Sequence, residues 1–339
     1  MKKRMFVIAF VISAVIGLSA CKNPPIFAAI EQEVKLTPAS VKGFIRRVVE
    51  LNGTLYTSNG KIYFKTKGSS GTWSEMSGCP SGYCTGIATD GANLYAAFSK
   101  DTAFTVYKYT TATSSWSEVS GLTAQAVFGT KVIFAINKES DTAYTISAIE
   151  NGSVSSTWTT SKAPIGAADS YCLLEDGLYD KTGAKRPASL ASELKGICEG
   201  PSSNAVFVVD STKLYCYDGS AWTNIAHGVS SPQSITYLPN KQLVLISGVK
   251  GYGEIKLASA SDTNLGAAKA ISVGSDESSV PAVNIHQYNN SVGKYVINPI
   301  TALENGSGYI IYVGVNDPNT KYSGLWGFYY PDRIEWNRE

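Results

Sequence analysis

Short runs of alternating apolar and polar residues, separated by tight-turn dipeptides, recur along almost the whole chain. The stretch from 86 to 120 shows the pattern: a strand of small residues, a turn at Asp90-Gly91, strands over 93–98 and 105–109, and a last strand around Trp116. Alternation at period two predicts half-buried β-strands, and Asp-Gly or Asn-Gly between such runs predicts hairpins. This stretch is therefore predicted to form four antiparallel strands in one small sheet.

The four-stranded unit repeats at a nearly constant spacing. Trp73, Trp116 and Trp158 each close one unit, and they lie 43 and 42 residues apart, which is the length of a four-stranded propeller blade. The fourth unit, around 171–183, lacks a closing Trp and is short of a strand. Seven first-hairpin turns predict an all-β fold, a β-propeller of seven blades with mostly four antiparallel strands, and leave six or eight blades as alternatives. Two stacked β-sandwiches are the other alternative, which the repeat length disfavours.

The N-terminal segment has the features of a bacterial lipoprotein signal peptide. Residues 2–4 are basic, and the apolar run over 6–16 is too short to span a bilayer comfortably. Leu18-Ser19-Ala20-Cys21 then resembles the lipobox, so we expect cleavage before Cys21, acylation of its thiol and anchoring to a membrane. An ordinary secretory signal with a chance Cys is the alternative. The predicted domains are a lipoprotein signal peptide over 1–20, a lipidated tether and N-terminal segment over 21–40, and the β-propeller over 41–339.

The net charge of the chain limits the classes of partner, and the residue after the lipobox limits the membrane to which the protein is sorted. Without its signal peptide the chain has 26 basic and 27 acidic residues and no basic stripe, which argues against a nucleic-acid partner. Lys22 stands where enteric bacteria place the Asp that retains lipoproteins in the inner membrane. We therefore expect a lipid-anchored protein of the bacterial cell envelope, at the outer membrane, on its periplasmic or surface face.

The cysteines of the predicted propeller fall into two groups. Cys79 and Cys84 bracket a loop that contains Pro80 and Gly82, and in an exported protein this spacing predicts a disulfide. The others, Cys172, Cys198 and Cys216, lie in predicted strands. One bridge plus one buried thiol is the first interpretation, three buried thiols the second. A metal site on these thiolates would need a fourth ligand and tetrahedral geometry, so no metal is predicted.

No catalytic residue or cofactor is predicted. The two histidines, His227 and His286, are not accompanied by a nucleophile motif, and ordinary structural positions are expected for both. Arg46, Arg186 and Arg333 come from three units and could clamp a carboxylate together, as the arginines of a sialidase do. We expect them to occupy separate surface positions instead.

Three features together are similar to a group of spirochaete lipoproteins of unassigned function: the lipobox, Trp-Ser-Glu at 73–75 and 116–118, and the ending from Tyr329-Tyr330 to Trp336. The resemblance implies a β-propeller domain and no particular activity. The double glycine of kelch repeats and the Trp-Asp closure of WD40 repeats are both missing from this sequence.

These patterns favour a non-enzymatic, membrane-anchored β-propeller that binds a protein or another macromolecule at the cell envelope through loops at one end of the ring. One alternative is a subunit of an outer-membrane assembly factor. Another is a degenerate sialidase-like glycosidase or lyase. The sequence leaves the identity of the partner and the oligomeric state open.

Overall fold

Seven separate antiparallel sheets follow one another along the chain, and each is a propeller blade. The structure is a computed structural model that describes residues 39–187, 190, 193–273, 295–316 and 322–339, without the side chains of 333–335. The predicted signal peptide, Cys21 and His286 lie outside these residues. The described part of the chain contains no helix long and apolar enough to cross a bilayer.

The strands of each blade are consecutive in sequence, from the innermost to the outermost. Blades 1 to 3 contain β1 (Val48–Leu51), β2 (Thr54–Ser58), β3 (Ile62–Thr66), β4 (Ser74–Glu75), β5 (Tyr83–Thr89), β6 (Asn93–Lys100), β7 (Ala103–Thr110), β8 (Ser115–Glu118), β9 (Ala126–Phe128), β10 (Ile133–Ser140), β11 (Ala143–Glu150) and β12 (Ser153–Thr160). Blades 4 and 5 contain β13 (Pro164–Ala168), β14 (Tyr171–Leu174), β15 (Gly177–Asp180), β16 (Gly196–Glu199), β17 (Val206–Val209), β18 (Lys213–Tyr217) and β19 (Trp222–Ala226). Blades 6 and 7 contain β20 (Ser234–Leu238), β21 (Leu243–Gly248), β22 (Gly251–Lys256), β23 (Lys269–Ile271), β24 (Ile297–Asn305), β25 (Gly308–Val315), β26 (Gly324–Tyr330) and β27 (Arg333–Arg338).

The hairpin dipeptides adopt the backbone conformations that tight turns require. Asn52 and Gly53 both have positive φ, at 52° and 74°, between β1 and β2, and Asn151 and Gly152 repeat this between β11 and β12 at 52° and 83°. Two central residues with positive φ are the signature of a type I′ turn, whose twist matches that of the flanking strands. These dipeptides therefore fix the strand register locally.

The innermost strands stand side by side in a closed ring. Each contacts the innermost strand of the next blade, and β24 of blade 7 contacts β1 of blade 1. Each junction between blades has its own buried apolar cluster, seven in total among the described residues. The predicted seven-bladed propeller is confirmed, and the alternative of two stacked sandwiches is wrong.

Blade 4 differs from the others because it has three strands. In place of a fourth strand, the described residues after β15 form an isolated bridge between Tyr179 and Lys185. The missing strand is the outermost one, as the absence of a closing Trp indicated. The innermost strand β13 was not predicted from the sequence pattern, because its composition of Pro, Ile, Gly and Ala is poor in the residues that favour strands.

The junction between blades 7 and 1 is held by buried polar groups as well as by apolar packing. Lys65 and Glu339 form an ion pair of 2.7 Å, with side chains 2% and 3% exposed. The indole N–H of Trp73 donates to the same carboxylate at 3.0 Å, and Lys65 donates to the Tyr329 hydroxyl at 2.9 Å. The segment before β1 adds backbone bonds, since Val41 donates to Glu339 and accepts from Leu325.

The ring has two faces. The upper face carries the turns between first and second strands and between third and fourth strands. The lower face carries the turns between second and third strands and the connections between blades. Because all innermost strands run in the same direction, their first residues lie at the lower mouth of the central channel and their last residues at the upper mouth.

Candidate functional site: an upper-face groove and the central channel

The upper face contains a groove of about 790 Å³ across blades 2, 3 and 4. Three turns between first and second strands and two turns that follow third strands form its walls. It is lined by Asp90, Ala92, Asn93, Lys131, Val132, Glu150, Asn151, Ser170, Tyr171, Asp180, Lys181, Thr182 and Arg186. Its volume lies in the range of ligand pockets, and its walls come from three separate blades.

Asp90 is used to build the turn that it belongs to. Its Oδ1 accepts the backbone N–H groups of Ala92 and Asn93 at 2.8 and 2.6 Å, and its Oδ2 accepts the Tyr95 hydroxyl at 2.9 Å. Asp210 of blade 5 repeats the arrangement with the backbone of Thr212 and Lys213 and the hydroxyl of Tyr215. A carboxylate at a turn that accepts its own backbone is a structural device, so Asp90 shapes the groove.

Two ion pairs give the groove its charged surface. Lys181 contacts Glu150 at 2.8 Å and thereby lowers the pKa of that carboxyl. Arg186 contacts Asp180 at 2.6 Å. Although partial burial opposes the shift, hydrogen bonds from Thr182 and Ala184 and the charge of Arg186 lower the pKa of Asp180. Both carboxylates are therefore ionised at neutral pH, and the third cation of the groove, Lys131, contacts Asp169 at 3.4 Å.

The central channel, with a volume of about 770 Å³, is a second cavity. Arg46, Arg47 and Lys195 line it just before their innermost strands begin, which places them toward the lower mouth. Three carboxylates line it at or near the ends of innermost strands, toward the upper mouth: Glu50, Glu199 and Glu304. The direction of the strands thus gives the channel a basic lower end, whereas at its upper end Glu50 is paired with Lys67, which also lines the channel, at 2.7 Å.

Arg47 projects into the channel from blade 1. Burial lowers the pKa of its guanidinium. The Glu199 carboxylate and the Cys198 thiol, which belong to blade 5 on the opposite side of the ring, oppose this shift. Neither Arg46 nor Arg47 forms an ion pair with a carboxylate in the described part of the chain. The lower mouth therefore presents two arginines whose charges are not balanced by direct contact.

The three arginines of the carboxylate clamp do not share a cavity. Arg46 lines the channel, whereas Arg186 lines the upper-face groove and is already paired with Asp180. The side chain of Arg333, on the outermost strand β27, is not among those described. The sialidase-like arrangement therefore has no basis in the two arginines that can be placed.

His227 has a structural position. It is 4% exposed, its Nδ1 accepts the N–H of Val229 at 2.9 Å, and its Nε2 lies 3.1 Å from the carbonyl oxygen of Asp210. This pattern fits the neutral tautomer with the proton on Nε2. Burial lowers the pKa of the imidazole. No group of three or more His, Cys, Asp or Glu side chains placed to hold a metal ion occurs among the described residues.

The structure does not contain the disulfide predicted between Cys79 and Cys84. Both are free thiols, and their sulfurs contact the carbonyl oxygens of Met76 and Gly86 at 3.4 and 3.5 Å. The two side chains pack on the same apolar cluster at the junction of blades 1 and 2. Burial raises the pKa of Cys79 to about 11 and also raises the pKa of Cys84. Because the thiolate is the reactive form, this environment slows oxidation of the pair.

The bridge expected among Cys172, Cys198 and Cys216 is wrong, and all three are free thiols. Cys198 pairs across the ladder with Phe207, which pairs with Cys216, so the two cysteines lie on strands separated by a third. Two strand spacings are roughly 9–10 Å, beyond the roughly 7 Å between Cα atoms that a disulfide tolerates. Cys172 belongs to a different cluster, between blades 3 and 4.

These features define a class: an all-β propeller with a charged groove on one face and a polar channel along its axis. The chain belongs to the TP013X lipoprotein family, which matches residues 1–339. It is 27% identical to an uncharacterized lipoprotein of Treponema pallidum (strain Nichols), over 95% of this chain and 96% of that protein. A second uncharacterized lipoprotein of the same strain is 24% identical, over 95% and 93%. The resemblance to spirochaete lipoproteins is thereby confirmed.

Solved structures of low sequence identity share the fold. A chain in the crystal structure of the mitotic checkpoint complex is 11% identical, with a TM-score of 0.53, and the match covers 83% of this chain and 95% of that one. The structure of U3-55K matches with 12% identity and a TM-score of 0.55, over 86% and 96%. At this identity the likeness concerns architecture alone.

Proposed function

We propose that this protein is a lipid-anchored, non-catalytic β-propeller that binds a protein partner at the bacterial cell envelope through its upper-face groove. The observation that carries the proposal is the groove itself, which spans three blades and carries charges of both signs held in place by ion pairs. Rigid scaffolds commonly place recognition on loops in this way.

The charge of the groove favours a protein over other ligands. Three carboxylates, Asp90, Glu150 and Asp180, stand beside three cations, Lys131, Lys181 and Arg186. A groove with equal numbers of positive and negative side chains suits the mixed charges of a protein surface, because electrostatic complementarity then fixes the register of the partner. A polyanion would instead require an excess of cations. The matching chain of the mitotic checkpoint complex shows that a propeller of this architecture can be part of a protein assembly.

The anchor and the domain limits form part of the same proposal. Residues 1–20 are the signal peptide, Cys21 carries the lipid, residues 21–40 are the tether and N-terminal segment, and residues 41–339 form the propeller. Membership of a lipoprotein family supports the lipid. The backbone bonds of Val41 to the last blade support the start of the propeller at this position. Mass spectrometry of the peptide that begins at Cys21, from protein made in a bacterial host, should show acylation.

A site-specific photo-crosslinker tests the groove. Placed at Thr182 inside the groove, it should trap a discrete protein adduct in intact cells of the native host. The matched control places the same crosslinker at Thr142, an exposed position in the lower-face turn between β10 and β11. The charge reversal Lys181→Glu should remove the Thr182 adduct without changing the thermal unfolding of the protein. Adducts of equal yield at both positions, or none at Thr182, would show that the groove is not the binding surface.

A further inference from the structure

Two aromatic side chains stand exposed beside the lower mouth of the channel. Phe44 is 54% exposed and Tyr83 is 47% exposed, and large rings left in water at this level call for an explanation when they cluster. Arg46 contacts both rings, and the carbonyl of Lys42 accepts a bond from Asn59, whose own carbonyl accepts the Tyr83 hydroxyl. We call these four residues, Lys42, Phe44, Arg46 and Tyr83, the lower-face patch.

The patch is held in a fixed conformation. The backbone N–H of Arg46 donates to Ser58 at 2.9 Å, and the Asn59 side chain donates to the Lys42 carbonyl at 2.8 Å. The Tyr83 hydroxyl donates to the Asn59 carbonyl at 3.3 Å, and its ring covers Gly60, where any side chain would clash. The aromatic rings are therefore presented to solvent by a rigid turn.

Arg46 is a cation without a counter-ion among the residues that the structure describes. Its guanidinium carbon lies 5.7 Å from the centre of the Phe44 ring and 5.6 Å from that of Tyr83. Like Arg47 beside it, it makes no ion pair with a described carboxylate. Lys42 is exposed and unpaired within the same part of the structure. Oriented cations that are not neutralised by the protein are suited to phosphate groups.

The chain enters the ring at this face. Val41 is bonded to Leu325, which follows the lower-face turn between β25 and β26. The described chain therefore begins on the lower face, on the same side as the lower-face patch. At 3.3–3.6 Å per residue, the 18 residue-to-residue steps from Cys21 to Ala39 can span at most about 60–65 Å, so a lipid on Cys21 keeps the propeller close to a bilayer.

We propose that the lower-face patch docks on an anionic lipid surface. Phe44 and Tyr83 enter the interface between headgroups and acyl chains, and Arg46 and Lys42 contact lipid phosphates. Aromatic rings combined with basic side chains are the composition of interfacial anchors. The proposal rests on the lipid anchor for delivery to the membrane, and it turns the upper-face groove away from the bilayer toward a partner.

Sedimentation with lipid vesicles tests the docking separately from the anchor. The chain from residue 21 with Cys21→Ser lacks the acyl group and retains every described contact. At low salt it should bind phosphatidylglycerol vesicles at least about tenfold more tightly than phosphatidylcholine vesicles, because each patch cation adds attraction to an anionic surface. Phe44→Ser combined with Tyr83→Ser should weaken this binding about tenfold. Arg46→Gln should weaken it and reduce its salt dependence, and Arg46→Lys should retain most of it.

Tyr330 supplies the matched control. It is an exposed aromatic residue, 40% accessible, that also lies beside a cation, Lys241, but on the upper face. Tyr330→Ser should leave vesicle binding unchanged, and unfolding midpoints will show that all variants remain folded. Equal binding to both vesicle types would overturn the proposal, as would an equal loss on Tyr330→Ser. Loss on Arg46→Gln with no loss in the double aromatic variant would define a phosphate site and not a membrane-docking face.

Discussion

The junction between blades 2 and 3 and the junction between blades 7 and 1 solve the same packing problem in different ways. Between blades 2 and 3 the buried cluster consists largely of small and branched apolar residues, among them Ala97, Val127, Ile133 and Ile149. Between blades 7 and 1, apolar packing is joined by the Lys65–Glu339 ion pair and by the Tyr329 and Trp73 side chains. Blades 2 and 3 follow each other in sequence, whereas blades 7 and 1 come from opposite ends of the propeller and are also linked by the segment before β1, whose Val41 is hydrogen-bonded to blade 7.

The difference shows where this fold needs specificity. Where the chain connects two blades, non-directional apolar burial is sufficient, because connectivity limits how the blades can meet. Where the two blades are distant in sequence, directional bonds, among them those of Val41 to Leu325 and Glu339, fix one arrangement. The Lys65–Glu339 pair satisfies that need: its partners are 274 positions apart in sequence and are fully desolvated. Buried ion pairs contribute more to a unique arrangement than to net stability in some proteins, and this junction is where such a role is required.

The largest effect is expected from Glu339→Gln, which leaves the Lys65 ammonium buried without a counter-ion. Removal of one partner of a buried pair costs about 3–5 kcal/mol, measured as a fall in the urea unfolding midpoint. Glu75→Gln is the control in the same blade, because the Lys61–Glu75 pair has a similar distance of 2.8 Å but is 62% and 51% exposed. It should cost about 0–1 kcal/mol.

Lys65→Met combined with Glu339→Gln should recover part of the lost stability, since no uncompensated charge then remains. If Glu339→Gln and Glu75→Gln shift the midpoint equally, the contrast between the two kinds of junction is wrong.

An intermediate effect concerns the junction between blades 1 and 2, where a covalent link would supplement apolar packing. Oxidation of Cys79 and Cys84 closes a six-residue loop and should stabilise the protein by about 2 kcal/mol on the entropic account. Protein exported to an oxidising compartment should gain the mass of two hydrogen atoms on reduction and unfold at a lower temperature afterwards. Cys79→Ser should abolish both changes. An exported protein whose mass does not respond to reductant contradicts the predicted disulfide.

The smallest effect is expected at the junction between blades 5 and 6, where the polar group is the neutral imidazole of His227. Because burial lowers its pKa in the folded state, the unfolded chain binds the proton more readily. The contribution of His227 to stability is therefore complete above the unfolded-state pKa of about 6.5 and falls as the pH drops below it. The loss of stability between about pH 7.5 and about pH 5.5 should be larger in the wild type than in His227→Gln. Parallel pH profiles would contradict the neutral state of this imidazole.

Local signals in the sequence predicted most of the fold. The closing Trp residues at 73, 116 and 158 lie on or next to the outermost strands β4, β8 and β12, and the Asn-Gly and Asp-Gly dipeptides lie at turns. The strand β13 could not be predicted in this way, because packing in the ring stabilises it and its own propensity does not. The Lys65–Glu339 pair could not be predicted either, because the two residues are 274 positions apart and no local sequence pattern relates them.

The candidate sites depend more on assembly than on sequence. The upper-face groove combines Asp180 and Arg186 of blade 4 with Glu150 of blade 3, and the lower-face patch combines Phe44 with Tyr83 of the next blade. Each of these residues looks ordinary in its own segment. They form a candidate site only because neighbouring blades place them side by side. The sequence could therefore predict that loops carry function but not which loops.

The ring is closed by groups that are far apart in sequence, the Lys65–Glu339 pair and the bonds of Val41 to the last blade, and this sets the order in which the fold can be completed. A lipoprotein emerges from its translocation channel beginning with the N-terminal end, so the early sheets can stack into an open arc while later segments are still in transit. In such an arc the Lys65 ammonium remains hydrated until Glu339 is in place to pair with it. The ring can therefore close only after Glu339 has reached the same compartment as Lys65.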